Sequence, residues 1–322
     1  MSAAERLKVV FIAGYSRSGS TLLDRMLGEL PGFVSTGELG YLWTRGLQEN
    51  RLCGCGSRFH DCAFWERVGL SAFGGWGQLD SADVARLRGE VLRHRFAHLL
   101  LAPRVSRTFE AKLRPFAELL ARLYTGIAAV SGARVIVDST VDAPYGFLLR
   151  HVPNLDVRKV HLVRDSRATA FSWTKRVSRA DYLDEATFLP TFHPADTALR
   201  WTADHLLVHL LARVGGGALL LRYEDLVADP RSKLNLVARS AGEAVQSADL
   251  TFVRPGCVEL GLGHTVAGSR MRLQRGEVPL ELDDGWRDRL PSGHRRAVTA
   301  LSLPLLAGYG YLSPPTGGRS GS

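Results

Sequence analysis

Residues 12–27 read IAGYSRSGSTLLDRML, and this stretch decides the fold. An apolar run, KVVFIA at 8–13, leads into it and ends at Gly14, as a buried parallel strand does. A turn of small residues follows, and then a helical pattern over 21–30 that Pro31-Gly32 stops. Strand, small-residue turn and helix form a cradle for an anion, because backbone N–H groups and the positive helix end converge there. Ser18, Gly19, Ser20 and Thr21 keep the loop slim enough for close approach. Gly19-Ser20-Thr21 stands where a Walker-type loop carries Gly-Lys-Ser/Thr, and the loop's cation is Arg17. A guanidinium is always charged and presents a planar fork that suits an oxyanion. The five lysines (Lys8, Lys112, Lys159, Lys175, Lys233) all lie elsewhere, which argues against a nucleotide kinase or NTPase.

Outward from this loop the same alternation recurs. Strands are expected at 134–138, 157–163 and 218–223, with helices near 145–151, 166–176, 195–214 and 230–241. This order predicts a three-layer α/β/α domain with a central parallel sheet, whose ligands bind beyond the C-terminal strand ends. Residues 35–80 read as a loop-rich lid with many glycines and three of the four cysteines, and 82–130 as a helical insertion. Residues 251–293 read as irregular, 294–307 as a last helix, and 313–322 as a disordered tail beyond a domain spanning 1–312.

The 322-residue chain has 41 Lys plus Arg against 32 Asp plus Glu, a net charge of +9. That excess suits a polyanionic ligand, although no nucleic-acid module or basic-aromatic interleaving accompanies it. A non-enzymatic nucleic-acid binder is therefore the weaker rival. No signal peptide or apolar run long enough to cross a membrane is visible, which leads to the expectation of a cytoplasmic protein. Four cysteines do not make a disulfide scaffold in a chain of this size.

A second anion site lies in VHLVRDSRATAFSW, 160–173. Arg164 closes a strand, Asp165 or Ser166 caps the next helix, and Ser172 falls on the helix face shared with Asp165 and Ala168. Two anion sites on one edge imply a ligand with two separated phosphate groups.

The segments YSRSGSTLL and LVRDSRATAFS resemble the two signature segments of the sulfotransferase family, in its bacterial and tyrosylprotein-type branches. The resemblance implies 3′-phosphoadenosine 5′-phosphosulfate as sulfuryl donor, with the first loop on the 5′-phosphosulfate and Arg164 and Ser172 on the 3′-phosphate. LLLRYEDLVADP (219–230) is similar to the family segment whose tyrosine, here Tyr223, lies by the adenine. GHTVAGSRMR (263–272) resembles the late loop over the nucleotide, with Arg272 at its arginine and Ser269 and Arg270 where Asn and Pro are usual. STGELGYLW (35–43) resembles the segment whose glutamate, here Glu38, serves as general base. The implied acceptor is a hydroxyl of a small-molecule or lipid-like compound. Related sequences place a lysine where this chain has Val141; Arg17 alone, His264 or Arg270 are the candidates for its role.

CGCGSRFHDC puts Cys53, Cys55, His60 and Cys62 within ten residues. Four such side chains are a ligand set for zinc, but Cys-x-Cys is tighter than the usual spacing, so reduced thiols in a lid and no metal are expected. Trp43, Phe59, Phe64, Trp65, Phe73 and Trp76 crowd the same region, either as core or as the lining of an acceptor pocket. His94, His98, His205 and His209 read as ordinary helix-face residues.

Overall fold

The computed structural model describes residues 6–178 and 188–312, His94 by its backbone only; the expected tail at 313–322 lies outside them. In chain order the elements are β1 (Leu7–Gly14), α1 (Ser20–Gly28), β2 (Phe33–Ser35), α2 (Ala63–Phe73), α3 (Ser81–Val91), α4 (Ala97–Leu101) and α5 (Arg107–Ser131). Next come β3 (Val135–Val141), α6 (Ala143–Leu149), β4 (Leu155–Val163), α7 (Ser166–Thr174), α8 (Pro194–Val214) and β5 (Leu219–Arg222). The chain ends through α9 (Tyr223–Ala228), α10 (Pro230–Ser240), β6 (Val253–Arg254), β7 (Cys257–Leu260), β8 (Gly276–Pro279), α11 (Trp286–Arg289) and α12 (Ser292–Gly308).

Among the described residues, five strands form one sheet in the order β2-β3-β1-β4-β5, and every pairing is parallel. β1 is central, so its two neighbours lead away in opposite directions. That reversal opens a crevice at its C-terminal end, where the loop 14–21 sits.

Period-two alternation along β1 feeds two cores. Val9, Phe11 and Ala13 face the helices of the insertion together with α6 and α8. Val10 and Ile12 face α1, α10 and the small sheet β6–β8. These five side chains have no exposed surface, which explains the unbroken apolar run of the sequence.

Two stretches are more ordered than their composition suggests. Residues 251–293 are only partly irregular: β6, β7 and β8 form a small antiparallel sheet whose Val253, Val258, Leu260 and Val278 enter the second core. Strands of two to four residues are too short to show a period; β6 and β7 pair across the short Pro255-Gly256 turn, and β7 and β8 across the long stretch 261–275. Within 35–80, residues Leu42–Gln48 make a π-helical turn and α2 packs on α5. Its aromatics settle as core, with Trp43 and Trp65 fully buried and Phe59, Phe64 and Phe73 nearly so. The reading of His205 as a face residue also fails, because it has no exposed surface and shares a 2.7 Å hydrogen bond with His161.

Candidate active site

The loop after β1 is tied to its neighbours by backbone geometry first. Gly19 adopts a positive φ of 87°, and a Cβ there would lie 2.2 Å from the Tyr223 ring. Glycine thus lets the loop close onto Tyr223, which is how the segment after β5 reaches the site. Arg17 also sits at a positive φ, 73°, a region that non-glycine residues rarely occupy. Backbone strain of this kind costs on the order of 1–3 kcal/mol and clusters at ligand-binding loops.

The Arg17 guanidinium lies 4.9 Å above the Trp173 ring. Its Nη2 is buried without a hydrogen-bond partner among the described residues, and so is the Ser18 hydroxyl. Burial, then the neighbouring Arg164 charge, push the Arg17 pKa down. Buried donors with nothing to bond are costly unless a ligand completes them. Arg164, directly after β4, is buried, donates 3.0 Å to the Arg17 carbonyl and lies 4.9 Å from the Tyr223 ring. Asp165 caps α7 by accepting from the Arg167 N–H, so Ser172 is carried round to the same hollow.

Glu38 arrives from a different direction. Thr36 N–H bonds the Val137 carbonyl, and its own carbonyl accepts from Val266 N–H. Gly37 has a φ of 75°, and a Cβ on it would meet the Ala267 carbonyl oxygen at 2.5 Å. Glycine is therefore required where the segment turns between β3 and the late loop. The Glu38 carboxylate then accepts from Arg45 at 3.1 Å.

These groups line one hollow of about 300 Å³: Arg17, Gly19, Ser20, Thr21, Glu38, Val141, Arg164 and Ser172. Tyr41, Arg45, Trp173, Leu189, Gly268, Ser269 and Met271 complete much of its wall. An adjoining hollow of about 180 Å³ shares Arg17, Arg45, Leu189 and Met271 and adds Val177 and Leu273. Of the expected site residues, Tyr223 flanks the hollow through Gly19 and Arg164. Arg272 lines the adjoining space and is buried, its Nη1 donating 3.1 Å to the Thr265 carbonyl. The late loop rests on α1, since Ser269 N–H donates to the Thr21 hydroxyl at 3.1 Å.

The sequence reading missed Arg45 and Trp173. Arg45 rides the π-helical turn, and such turns carry little periodic signal. Trp173 directly follows Ser172, yet its ring serves Arg17, a contact that no spacing announces. His264 is removed from the candidates for the cation missing at Val141: its ring faces Cys53 and Cys62, and it lines neither hollow. Val141 itself has a φ of 44°, unusual for a β-branched residue, and it ends β3 in the wall of the hollow.

Three solved structures are similar to this chain, and the first shares its fold. The sulfotransferase domain from the Synechococcus PCC 7002 olefin synthase superposes with a TM-score of 0.53 at 23% identity, over 95% of this chain and 96% of that one. The sulfotransferase domain from the curacin biosynthetic pathway gives 0.47 at 17% identity, covering 92% and 97%. Sulfotransferase STF1 from Mycobacterium tuberculosis H37Rv gives 0.35 at 14% identity, covering 75% and 69%. No curated protein matches the chain in sequence. The family model described as "Sulfotransferase domain" matches residues 7–252, most of the chain, and with the phosphate loop and Arg164 inside that span the protein belongs to the sulfotransferase family.

Proposed function

We propose that this sulfotransferase takes its sulfuryl group from 3′-phosphoadenosine 5′-phosphosulfate and delivers it to a hydroxyl of a small-molecule or lipid-like acceptor. One observation carries the donor reading. Two cationic positions, Arg17 with the loop amides and Arg164 with Ser172, open into the same hollow. A nucleotide with phosphates at both ends of its ribose matches them. The unpartnered Arg17 Nη2 and Ser18 hydroxyl are the donors such a ligand would complete.

When bound, the donor supplies an activated sulfuryl group on a phosphate leaving group. This chain's residues supply position and charge, which dominate this class of transfer. Arg17 and the amides of 18–21 hold the phosphosulfate end. Arg164 and Ser172 hold the 3′-phosphate, Tyr223 flanks the base, and Arg272 braces the late loop from beneath. Glu38 takes the acceptor's proton, and Arg45 fixes its carboxylate over the hollow. Arg45 also brings positive charge to the hollow that Val141 lines. No step in this scheme uses a metal at the reacting centre. Val177, Leu189, Met271 and Leu273 give the adjoining hollow an apolar wall beside Arg17, Arg45, Arg51, Arg270 and Arg272, and the acceptor would enter there.

Thermal shift with adenosine 3′,5′-bisphosphate tests the donor. It should stabilise the protein well beyond AMP or ATP without added Mg²⁺, while equal shifts with AMP would remove the second phosphate site. A mass-spectrometric screen for sulfated products across hydroxyl compounds identifies the acceptor.

A further inference from the structure

The fold brings Cys53, Cys55, Cys62 and His264 together from opposite parts of the chain. Their ligand atoms all lie within 4.8 Å of one another. The Cys55–Cys62 and Cys53–Cys62 sulfur pairs are 3.6 Å apart. His264 Nδ1 is 3.3 Å from the Cys62 sulfur and 3.8 Å from that of Cys53. On a tetrahedron with Zn–S of about 2.3 Å and Zn–N of about 2.0–2.1 Å, neighbouring ligand atoms stand about 3.5–3.8 Å apart. Four of the six separations therefore already have about the spacing of such a site, and the other two lie within 4.8 Å.

Each ligand is held by independent contacts. Cys53 N–H bonds the Ser57 carbonyl at 2.8 Å, and Gly56 N–H returns to the Cys53 carbonyl at 2.9 Å. This tight turn points Cys53 and Cys55 to one place despite their short spacing. Cys62 opens α2. The His264 ring stacks on Phe64 at 4.8 Å, and its carbonyl accepts from Trp65 Nε1 at 2.9 Å. His60, the histidine that the sequence placed in this set, instead contacts the Leu47 carbonyl. Among the described residues all four cysteines are free thiols.

We infer that Cys53, Cys55, Cys62 and His264 bind one zinc ion as a closed structural site. Three soft thiols and an imidazole in a tetrahedron suit Zn²⁺ and leave no open position for catalysis. Binding releases three thiol protons to solvent and gives the site a net charge of −1. A disulfide would use two of these sulfurs and strand the third beside His264; zinc uses all four groups. The consequence is mechanical. Zinc would lock the 53–62 segment to the late loop, a link that the Gly54 N–H to Thr265 carbonyl bond of 2.9 Å already begins. Four residues beyond His264, the same loop lines the donor hollow with Gly268 and Ser269.

The full-length protein, purified without chelator and analysed for metals, should contain one zinc per chain. Cys62→Ser should lose it, whereas His264→Cys should keep it, because a four-cysteine set still binds. Should Cys62→Ser fail to fold, the wild-type chain loaded with cobalt(II) should show thiolate-to-cobalt charge transfer and tetrahedral ligand-field bands. Stripping the ion should lower the melting temperature and weaken adenosine 3′,5′-bisphosphate binding severalfold. A folded, zinc-free protein with three titratable thiols in this cluster overturns the site. So does a disulfide among them by non-reducing peptide mapping, or undiminished zinc in folded Cys62→Ser. Bisphosphate that binds neither form would remove the proposed donor and leave the zinc result standing.

Discussion

The donor cradle and the wall opposite it are built in contrasting ways. Each half of the cradle is local: residues 14–21 run from the end of β1 into α1, and Arg164 and Ser172 sit within nine residues of each other at β4–α7. The opposite wall is assembled at long range. Glu38, Arg45 and the late loop at 264–272 meet only because Gly37 turns tightly against Ala267 and Val266 bonds Thr36. Each local half needs only its own strand and helix to take shape, whereas in the proposed scheme the distant pieces must all arrive before Glu38 can act on an acceptor. Damage to the cradle should therefore weaken binding, and damage to the wall should slow turnover.

The largest separation should come from Glu38→Gln. It retains size and hydrogen bonding but cannot accept a proton, so kcat should fall by about 10²–10⁴ with donor affinity nearly unchanged. Arg17→Ala should lower both, since in the proposed scheme that group touches the donor before and during transfer. Single-turnover rates beside calorimetric donor binding make the comparison. A near-full rate for Glu38→Gln would move the base elsewhere. Asp138 is a poor successor, being buried and already bonded to Tyr124 and Thr140.

Next in size is Arg164→Ala. Charge-assisted hydrogen bonds contribute about 1.5–3 kcal/mol, so bisphosphate affinity should fall at least tenfold while AMP affinity changes little. Equal losses for both ligands would erase the division of labour within the cradle.

Gly37→Ala probes the long-range wall without removing any reacting group. A Cβ at positive φ, pressed on a backbone carbonyl, should cost about 1 kcal/mol or more. Turnover should drop more than donor binding. The reverse result would mean that the late loop serves the nucleotide rather than the base.

The smallest effect concerns pH and a residue beneath the cradle. Asp24 on α1 is fully buried and accepts from the Ser35 hydroxyl, and burial raises its carboxyl to about 7. A carboxyl raised in the folded state stabilises fully below its unfolded pKa, near 4, and that stability is lost as pH rises through 7. Buried His161, lowered to about 3 by burial and then by His209, works in the opposite sense, losing stability as pH falls below about 6.5. The two overlap, so a difference measurement is needed. The melting temperature of Asp24→Asn relative to wild type should improve by about 2 °C or more between pH 5 and 8. A pH-independent difference would show that Asp24 titrates normally.

Much of this protein was legible in the sequence because its signals are short in range. The strand-loop-helix at 8–28, the α/β alternation, and Arg164 with Ser172 each lie within one or two turns of chain, where period and spacing carry information. The three-layer fold and the sulfotransferase family follow from those segments. Tertiary structure decided what depends on packing rather than on local period. It exchanged His60 for His264 in the thiol cluster, brought Arg45 to Glu38, buried His205 against His161, and formed a small sheet within 251–293. The first of these joins residues 202–211 positions apart, and the others are set by turns and packing over shorter stretches. A contact across 200 residues is set by how two cores close on either side of β1, and no local periodicity encodes that closure.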